Sequence, residues 1–257
     1  MPRKRRKKTF QKKDRVQVEG RNSVLEALNA GREFKRVLIY RNSPQKGKLL
    51  EIIKKARGRG IKIEFVARGG LDYISQTEGM HQGVIGVLEP RETTSLKVLL
   101  DNSMKSGRRI FLLILTDVQD ERNLGAIIRT ASATGVTAVV VPSKKGPVIT
   151  PLVARTSAGA AEHVPVVAES IFQVLKLLSE YDIRVYSVEL GGENVYKEDL
   201  TGNVAFVIGG EDLGVSSKIQ EKSFKTLEIP MPGKAQSLNM SVSAALVMYE
   251  KIRQEFK

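Results

Sequence analysis

The chain of 257 residues contains no cysteine. That absence removes disulfides, thiolate nucleophiles and thiolate-held zinc or iron–sulfur clusters together. Histidine is nearly as scarce, with only His81 and His163 present, so a histidine-rich metal site is excluded as well. No stretch approaches the roughly 20 apolar residues needed to cross a bilayer. The basic N-terminus lacks the apolar core of a signal peptide, and a cytoplasmic protein is the simplest reading. Also missing are a G-x-G-x-x-G after an early strand and a G-x-x-x-x-G-K-[ST], which disfavours a dinucleotide-dependent dehydrogenase or an NTPase.

What is present is enough apolar residue, 41%, to bury a sizeable core, over a length that suits two domains. The net charge of +14 is unevenly placed: eight basic and no acidic residues lie between Met1 and Lys13. The tail is therefore a separate polycation on a moderately basic body, and charge of this sign favours polyanionic partners through counterion release. A solubilising, disordered arm is the plainer reading of such a run. An anionic membrane surface is a weaker option, because no amphipathic helix or lipidation signal accompanies it.

Elements alternate after the tail. Asn22 to Asn29 reads as a helix with Asn22 at its N-cap and Gly31 as its stop. Lys48 to Arg57 has helical spacing, and Arg36 to Tyr40, Lys62 to Val66 and Gly83 to Leu88 read as strands. That unit spans residues 14–88, and 89–106 reads as a linker containing one turn of helix. The second unit, 107–257, opens on the unbroken apolar run Ile110 to Leu115, as in a strand buried on both faces of a parallel sheet. Leu124, Ile127, Ile128 and Ala131 then share one helical face. Strands follow at Thr137 to Val141, Arg184 to Val188, Val204 to Ile208 and Thr226 to Ile229. Helices are predicted around Ile171, Val174, Leu175 and Leu178, and finally with Val242, Ala245, Leu246 and Tyr249 on one side. Such alternation predicts an α/β fold with a mostly parallel sheet.

Ligands of such sheets sit beyond the carboxyl ends of the strands. Three polar loops fall there. The first is Asp117-Val-Gln-Asp-Glu-Arg-Asn123-Leu-Gly125, with Arg129 further along the helix. The second is Ile208-Gly209-Gly210-Glu211-Asp212-Leu213-Gly214. The third is Ile229-Pro230-Met231-Pro232-Gly233, followed by Ser237-Leu238-Asn239. Singly, each residue has a structural explanation: Asn123 and Asn239 as N-caps, the glycines as turns, Glu211 as a solvated carboxylate, Arg129 as a surface residue.

Together, in order and in register, the loops resemble the three motifs of the SpoU branch of the SPOUT RNA methyltransferases. Asn123, Gly125 and Arg129 match the first motif, Gly209, Glu211 and Gly214 the second, and Ile229 through Ser241 the third. The resemblance implies a trefoil-knotted sheet that binds S-adenosylmethionine against the knot, largely through backbone groups. The implied donor site is Ile208, Gly209, Gly210, Ile229, Met231, Leu238 and Asn239, with no metal. It implies a homodimer that transfers a methyl group to a ribose 2′-hydroxyl. Arg129 is the implied catalytic residue, with Asn123 and Ser237 positioning and Glu211 and Asn239 organising the pocket. No histidine, cysteine or metal is available to relieve the hydroxyl of its proton. A guanidinium is a poor base, so a phosphate clamp is preferred for Arg129, with direct proton abstraction left open.

Val18-Glu-Gly-Arg-Asn22-Ser-Val-Leu-Glu-Ala27 and His81-Gln82-Gly83-Val84 resemble the L30e-like substrate-binding domain of the bacterial 23S rRNA guanosine 2′-O-methyltransferases. The implied partner is structured RNA, foremost 23S rRNA, with tRNA as the alternative and neither membrane nor DNA expected. His81, beside a glycine turn, reads as a hydrogen-bonded loop residue. Two rivals remain on the residues alone: a non-catalytic RNA-binding protein, and a small-molecule enzyme on a doubly wound sheet.

Overall fold

The computed structural model describes residues 16–90, 94–143, 148–210 and 213–256. The basic tail, Glu211 and Asp212 lie outside them. The chain divides into two compact units at Pro90/Arg91.

The first unit contains β1 (Gln17–Glu19), α1 (Arg21–Asn29), β2 (Phe34–Tyr40), α2 (Lys48–Gly58), β3 (Ile63–Val66), α3 (Arg68–Ile74) and β4 (Val84–Leu88). Its sheet runs β1-β4-β2-β3, with only β2 and β3 parallel. Leu49, Ile52, Ile53 and Ala56 of α2 are buried at i, i+3, i+4 and i+7, as the spacing requires. The short elements β1 and α3 were not legible in the sequence. α1 begins one residue earlier than expected, with Gly20 as its N-cap. Asn22 instead accepts a hydrogen bond from Lys48 Nζ at 2.5 Å.

The second unit contains α4 (Leu96–Lys105), β5 (Phe111–Leu115), α5 (Glu121–Ala133), β6 (Ala138–Pro142), α6 (Pro151–Thr156), β7 (Val166–Glu169), α7 (Ile171–Glu180), β8 (Arg184–Asn194), β9 (Val204–Ile208), α8 (Ser217–Gln220), β10 (Lys225–Glu228) and α9 (Met240–Glu255). Six strands form one parallel sheet in the order β10-β8-β9-β5-β6-β7. Both faces are covered, and strand alternation divides the apolar run between them. Phe111, Leu113 and Leu115 point into the core shared with α5 and α9. Ile110, Leu112 and Ile114 point into the core shared with α4 and α7.

Two expectations need correction. The segment 89–106 is not a linker with a single helical turn. Ser95 caps α4 through Val98 N, and Leu96 and Leu100 are wholly buried in the second unit's core. The charges and Pro90 around this short apolar patch hid a helix whose partners lie far along the chain. In α9 the buried stripe is Ala244, Val247, Met248 and Lys251, while Val242 and Tyr249 are 45% and 54% exposed. Of the apolar face read from the sequence, Val242 and Tyr249 thus point away from the core, while Leu246 packs partly buried against it. The buried face was disguised by Lys251, whose ammonium donates to the carbonyls of Leu200 and Gly202 and to Glu255.

Candidate active site

Strand order in the second unit reverses at β5: β6 and β7 lie on one side, β9 and β8 on the other. Loops leaving the carboxyl ends on either side of such a point diverge and leave a crevice. Two clefts lie at the carboxyl ends of the strands, both touching Gly210 and Met240, and the second of them includes the loop after β5. One, of about 490 Å³, lies between the ends of β8 and β9 and the segment leading to α9. The other, of about 600 Å³, is walled by Asp117 through Asn123 and by Leu152.

The first cleft gathers Ile208, Gly209, Gly210, Ile229, Met231, Ser237 and Leu238. It therefore brings together every residue expected at the donor site except Asn239, which borders it through its neighbours Leu238 and Met240. The loop after β9 is folded back on itself by a bridge between Gly210 and Gly214, with Gly214 N donating to Gly210 O at 3.1 Å. A side chain at Gly209 would collide with the Gly214 backbone, and Gly214 has φ +57°. Glycine at both positions is thus a requirement of the fold-back. Leu213 stands 90% exposed at the cleft's edge.

Sequence reasoning missed Glu189, which follows the buried part of β8 and lines the same cleft. Its Oε2 accepts from Val215 N at 2.7 Å and its Oε1 from Leu190 N at 3.1 Å. A carboxylate just past a strand, followed by Leu190-Gly191-Gly192, was the available signal.

Asn123 and Asn239 meet, Asn239 Nδ2 donating to Asn123 Oδ1 at 3.2 Å. Asn239 also caps α9, its Oδ1 accepting from Ser241 N at 2.9 Å and Ser241 Oγ at 2.5 Å. It is thus an N-cap and a motif residue at once. Asn123 is not a cap: Asp120 caps α5 through Arg122 N at 2.7 Å. Arg129 lies six residues beyond Asn123, roughly 9 Å along the helix. It is exposed, lines neither cleft, and its side chain makes no hydrogen bond or ion pair among the described residues. Gly125 lies where α5 meets α6. A Cβ there would collide with Thr156 and lie 3.0 Å from Ser157 N.

The sequence profile of the SpoU rRNA methylase family matches residues 110–249, more than half of the chain. The chain belongs to the SpoU rRNA methylase family. Residues 17–94 match the profile for RNA 2′-O ribose methyltransferase substrate binding. Among curated relatives, the 23S rRNA (guanosine-2′-O-)-methyltransferase RlmB of Xylella fastidiosa is 36% identical over 244 residues, covering 92% of this chain and 96% of its own. A solved RNA 2′-O ribose methyltransferase superposes with TM-score 0.77 at 25% identity, covering 95% of this chain and 90% of its own. The SpoU methyltransferase AviRb from Streptomyces viridochromogenes, in complex with the cofactor AdoMet, shares the fold with TM-score 0.80 at 23% identity, covering 95% and 91%.

Within this SpoU chain, the two motifs of the substrate-binding unit converge. Gln82 Oε1 accepts from Arg21 N at 3.1 Å, joining the His81-Gln-Gly loop to the start of α1. Glu19 is fully buried and accepts from Gln17 Nε2, Ser75 Oγ, Gln76 N and Thr77 Oγ1 at 2.6–2.7 Å. Four donors satisfy a carboxylate that would otherwise be costly to bury. His81 is 4% exposed, with Nδ1 accepting from Gly83 N at 3.0 Å and Nε2 2.9 Å from Asp72 Oδ1. That pattern places the ring proton on Nε2 and makes His81 a strut of the loop, as its sequence context suggested. Among the described residues no cluster of histidine and acidic side chains could hold a metal, and no helix is long and apolar enough to cross a membrane.

Proposed function

We propose that this protein transfers a methyl group from S-adenosylmethionine to the ribose 2′-hydroxyl of a guanosine in structured RNA, foremost 23S rRNA, in the cytoplasm. The observation that carries the reading is the gathering of Ile208, Gly209, Gly210, Ile229, Met231, Ser237 and Leu238 around one cleft at the carboxyl ends of β8 and β9. The first cleft suits the donor. Its volume falls within the roughly 300–1,000 Å³ of small-molecule sites. Ile208, Ile229 and Leu238 offer apolar walls for a nucleobase, and Gly209 and Gly210 leave backbone groups open to it. The donor supplies an electrophilic methyl carbon bonded to a positively charged sulfur. Transfer of that methyl to the 2′-oxygen would leave S-adenosylhomocysteine as the thioether, and the hydroxyl proton would pass to the neighbouring RNA phosphate or to water.

Asn123 and Asn239 fix the two helix starts to each other, and Ser237 faces the cleft. Glu211 takes the organising role its motif implies. Arg129, whose side chain has no hydrogen-bond or ion-pair partner among the described residues, clamps an RNA phosphate beside the attacking hydroxyl, so that proton loss is eased without a guanidinium acting as base. We further propose that the chain works as a homodimer, with Arg129 serving the cleft of the other copy. Support comes from Val242 and Tyr249 of α9, which are turned away from its own core, and from α5, which carries Arg129 and packs beside α9. The knot belongs to the same proposal. β10 is an edge strand, yet α9 returns to β9 and α5 in the middle of the sheet. The first unit, a four-stranded mixed sheet with three helices, is proposed as the L30e-like RNA-binding part.

The test is incubation of the protein with tritiated donor and either unmodified 23S rRNA or tRNA, followed by mapping of 2′-O-methyl nucleotides. One modified guanosine in 23S rRNA is expected. Label in tRNA alone would refute the substrate, and label in neither would refute the activity.

A further inference from the structure

We infer that Glu189 sets the preference of the first cleft for the charged methyl donor over its neutral demethylated product. This rests on the reading of that cleft as the donor site. S-adenosylmethionine carries a sulfonium that S-adenosylhomocysteine lacks, and the two are otherwise alike. A cleft that holds both through apolar walls and backbone groups tells them apart only through carbonyl dipoles, and a fixed negative charge near the ligand sharpens the distinction.

Glu189 is the one charged side chain among the described residues that line the cleft. It has no ion pair among the described residues, so its charge is not cancelled locally. Its partners are two backbone N–H groups, Val215 N at 2.7 Å and Leu190 N at 3.1 Å. These hold the carboxylate in place before any ligand arrives, and a preorganised charge loses little to reorganisation. The left-handed Gly214 packs directly against it, because any Cβ there would collide with the carboxylate. Glu189 therefore has two separable roles. Its oxygen positions the turn at Gly214 and Val215, and its charge belongs to a residue that lines the cleft. The site is partly open to water, which limits the charge effect to roughly fivefold to tenfold in affinity.

The experiment is calorimetric titration of the full chain with each nucleoside separately, for wild type, Glu189→Gln and Glu189→Ala. Glu189→Gln keeps an oxygen for Val215 N–H and removes the charge. Its affinity for S-adenosylmethionine should fall roughly fivefold to tenfold while that for S-adenosylhomocysteine stays level. Glu189→Ala also removes the acceptor, so both affinities should fall and amide exchange at Val215 should quicken. Equal changes for the two ligands in Glu189→Gln, or none, would overturn the inference. Wild type tested alone gives a second check that does not depend on a variant folding. Added salt should weaken its binding of the sulfonium ligand more than of the neutral one, and an identical salt response would also overturn the inference. Wild type that bound neither ligand would instead refute the donor-site reading itself.

Discussion

Removing the first unit should leave a stable catalytic domain only if the cut falls before α4. Leu96 and Leu100 are wholly buried against Ile110, Leu112 and Ile114, and Leu96 N donates to Glu169 Oε1 at 2.9 Å, fastening α4 to the end of β7. Burying a leucine contributes about 1.5–3 kcal/mol, so a fragment starting at Gly107 forgoes about 3–6 kcal/mol from these two side chains. It also exposes the sheet face they cover. Whole domains are stable by only about 5–15 kcal/mol. For a domain of this size each kcal/mol is worth about 2–4 °C, so the Gly107 fragment should melt about 6–24 °C below one starting at Arg91. Thermal unfolding followed by circular dichroism, on both fragments at equal concentration, measures this. Melting temperatures within about 2 °C of each other would refute the argument and restore 89–106 as a linker.

Other outcomes follow from the same structure. Arg129→Ala should lower methyl transfer about 100-fold or more, as losing a preorganised charge does. Donor affinity by calorimetry should stay level, because Arg129 in its proposed role grips the RNA phosphate and not the donor; equal loss of both would refute its role. Gly125→Ala should destabilise by about 1–3 kcal/mol through overpacking against α6, despite alanine's better helix propensity, and a urea midpoint no lower than wild type would contradict this. Burial pushes the Glu255 carboxyl up, but hydrogen bonds from Lys251 and Arg109 outweigh it and hold the group below the ordinary 4.5. Its stabilisation is therefore present above that value and lost as pH falls through the depressed one. Glu255→Gln should be less stable than wild type at neutral pH, with the gap in urea midpoint closing in acid; a constant gap would contradict the assignment. Deleting Met1 to Lys13 removes eight basic residues and should flatten the salt dependence of RNA binding by up to roughly 0.9 in log–log slope per lost phosphate contact on duplex. An unchanged slope in filter binding would show that the tail does not touch RNA.

The sequence by itself determined the strands and helices whose partners are dictated by their own periodicity. β9 spans Val204–Ile208 as read, α7 buries Ile171, Val174, Leu175 and Leu178, and α5 buries the four apolar residues its spacing picked out. Three polar loops beyond strand ends, in fixed order, also pointed to the end of the sheet where the two clefts lie, because loops at the carboxyl ends of parallel strands diverge there. Tertiary structure alone decided the rest. α4 is a helix of the second unit because Leu96 and Leu100 find β5 and Glu169, neither of which local propensity can report. α9 turns Lys251 inward because the carbonyls of Leu200 and Gly202 and the Glu255 carboxylate satisfy its ammonium, and that rotation puts Val242 and Tyr249 outside. Gly125 and Gly209 are glycines because a segment distant in sequence leaves no room for a Cβ, the Thr156 side chain and Ser157 N at the first and the Gly214 backbone at the second. Glu189 entered the site only when the chain folded back to bring Val215 N–H to its carboxylate. Periodicity reports which face of an element is apolar; what that face meets depends on segments distant in sequence, and only the folded chain brings them together.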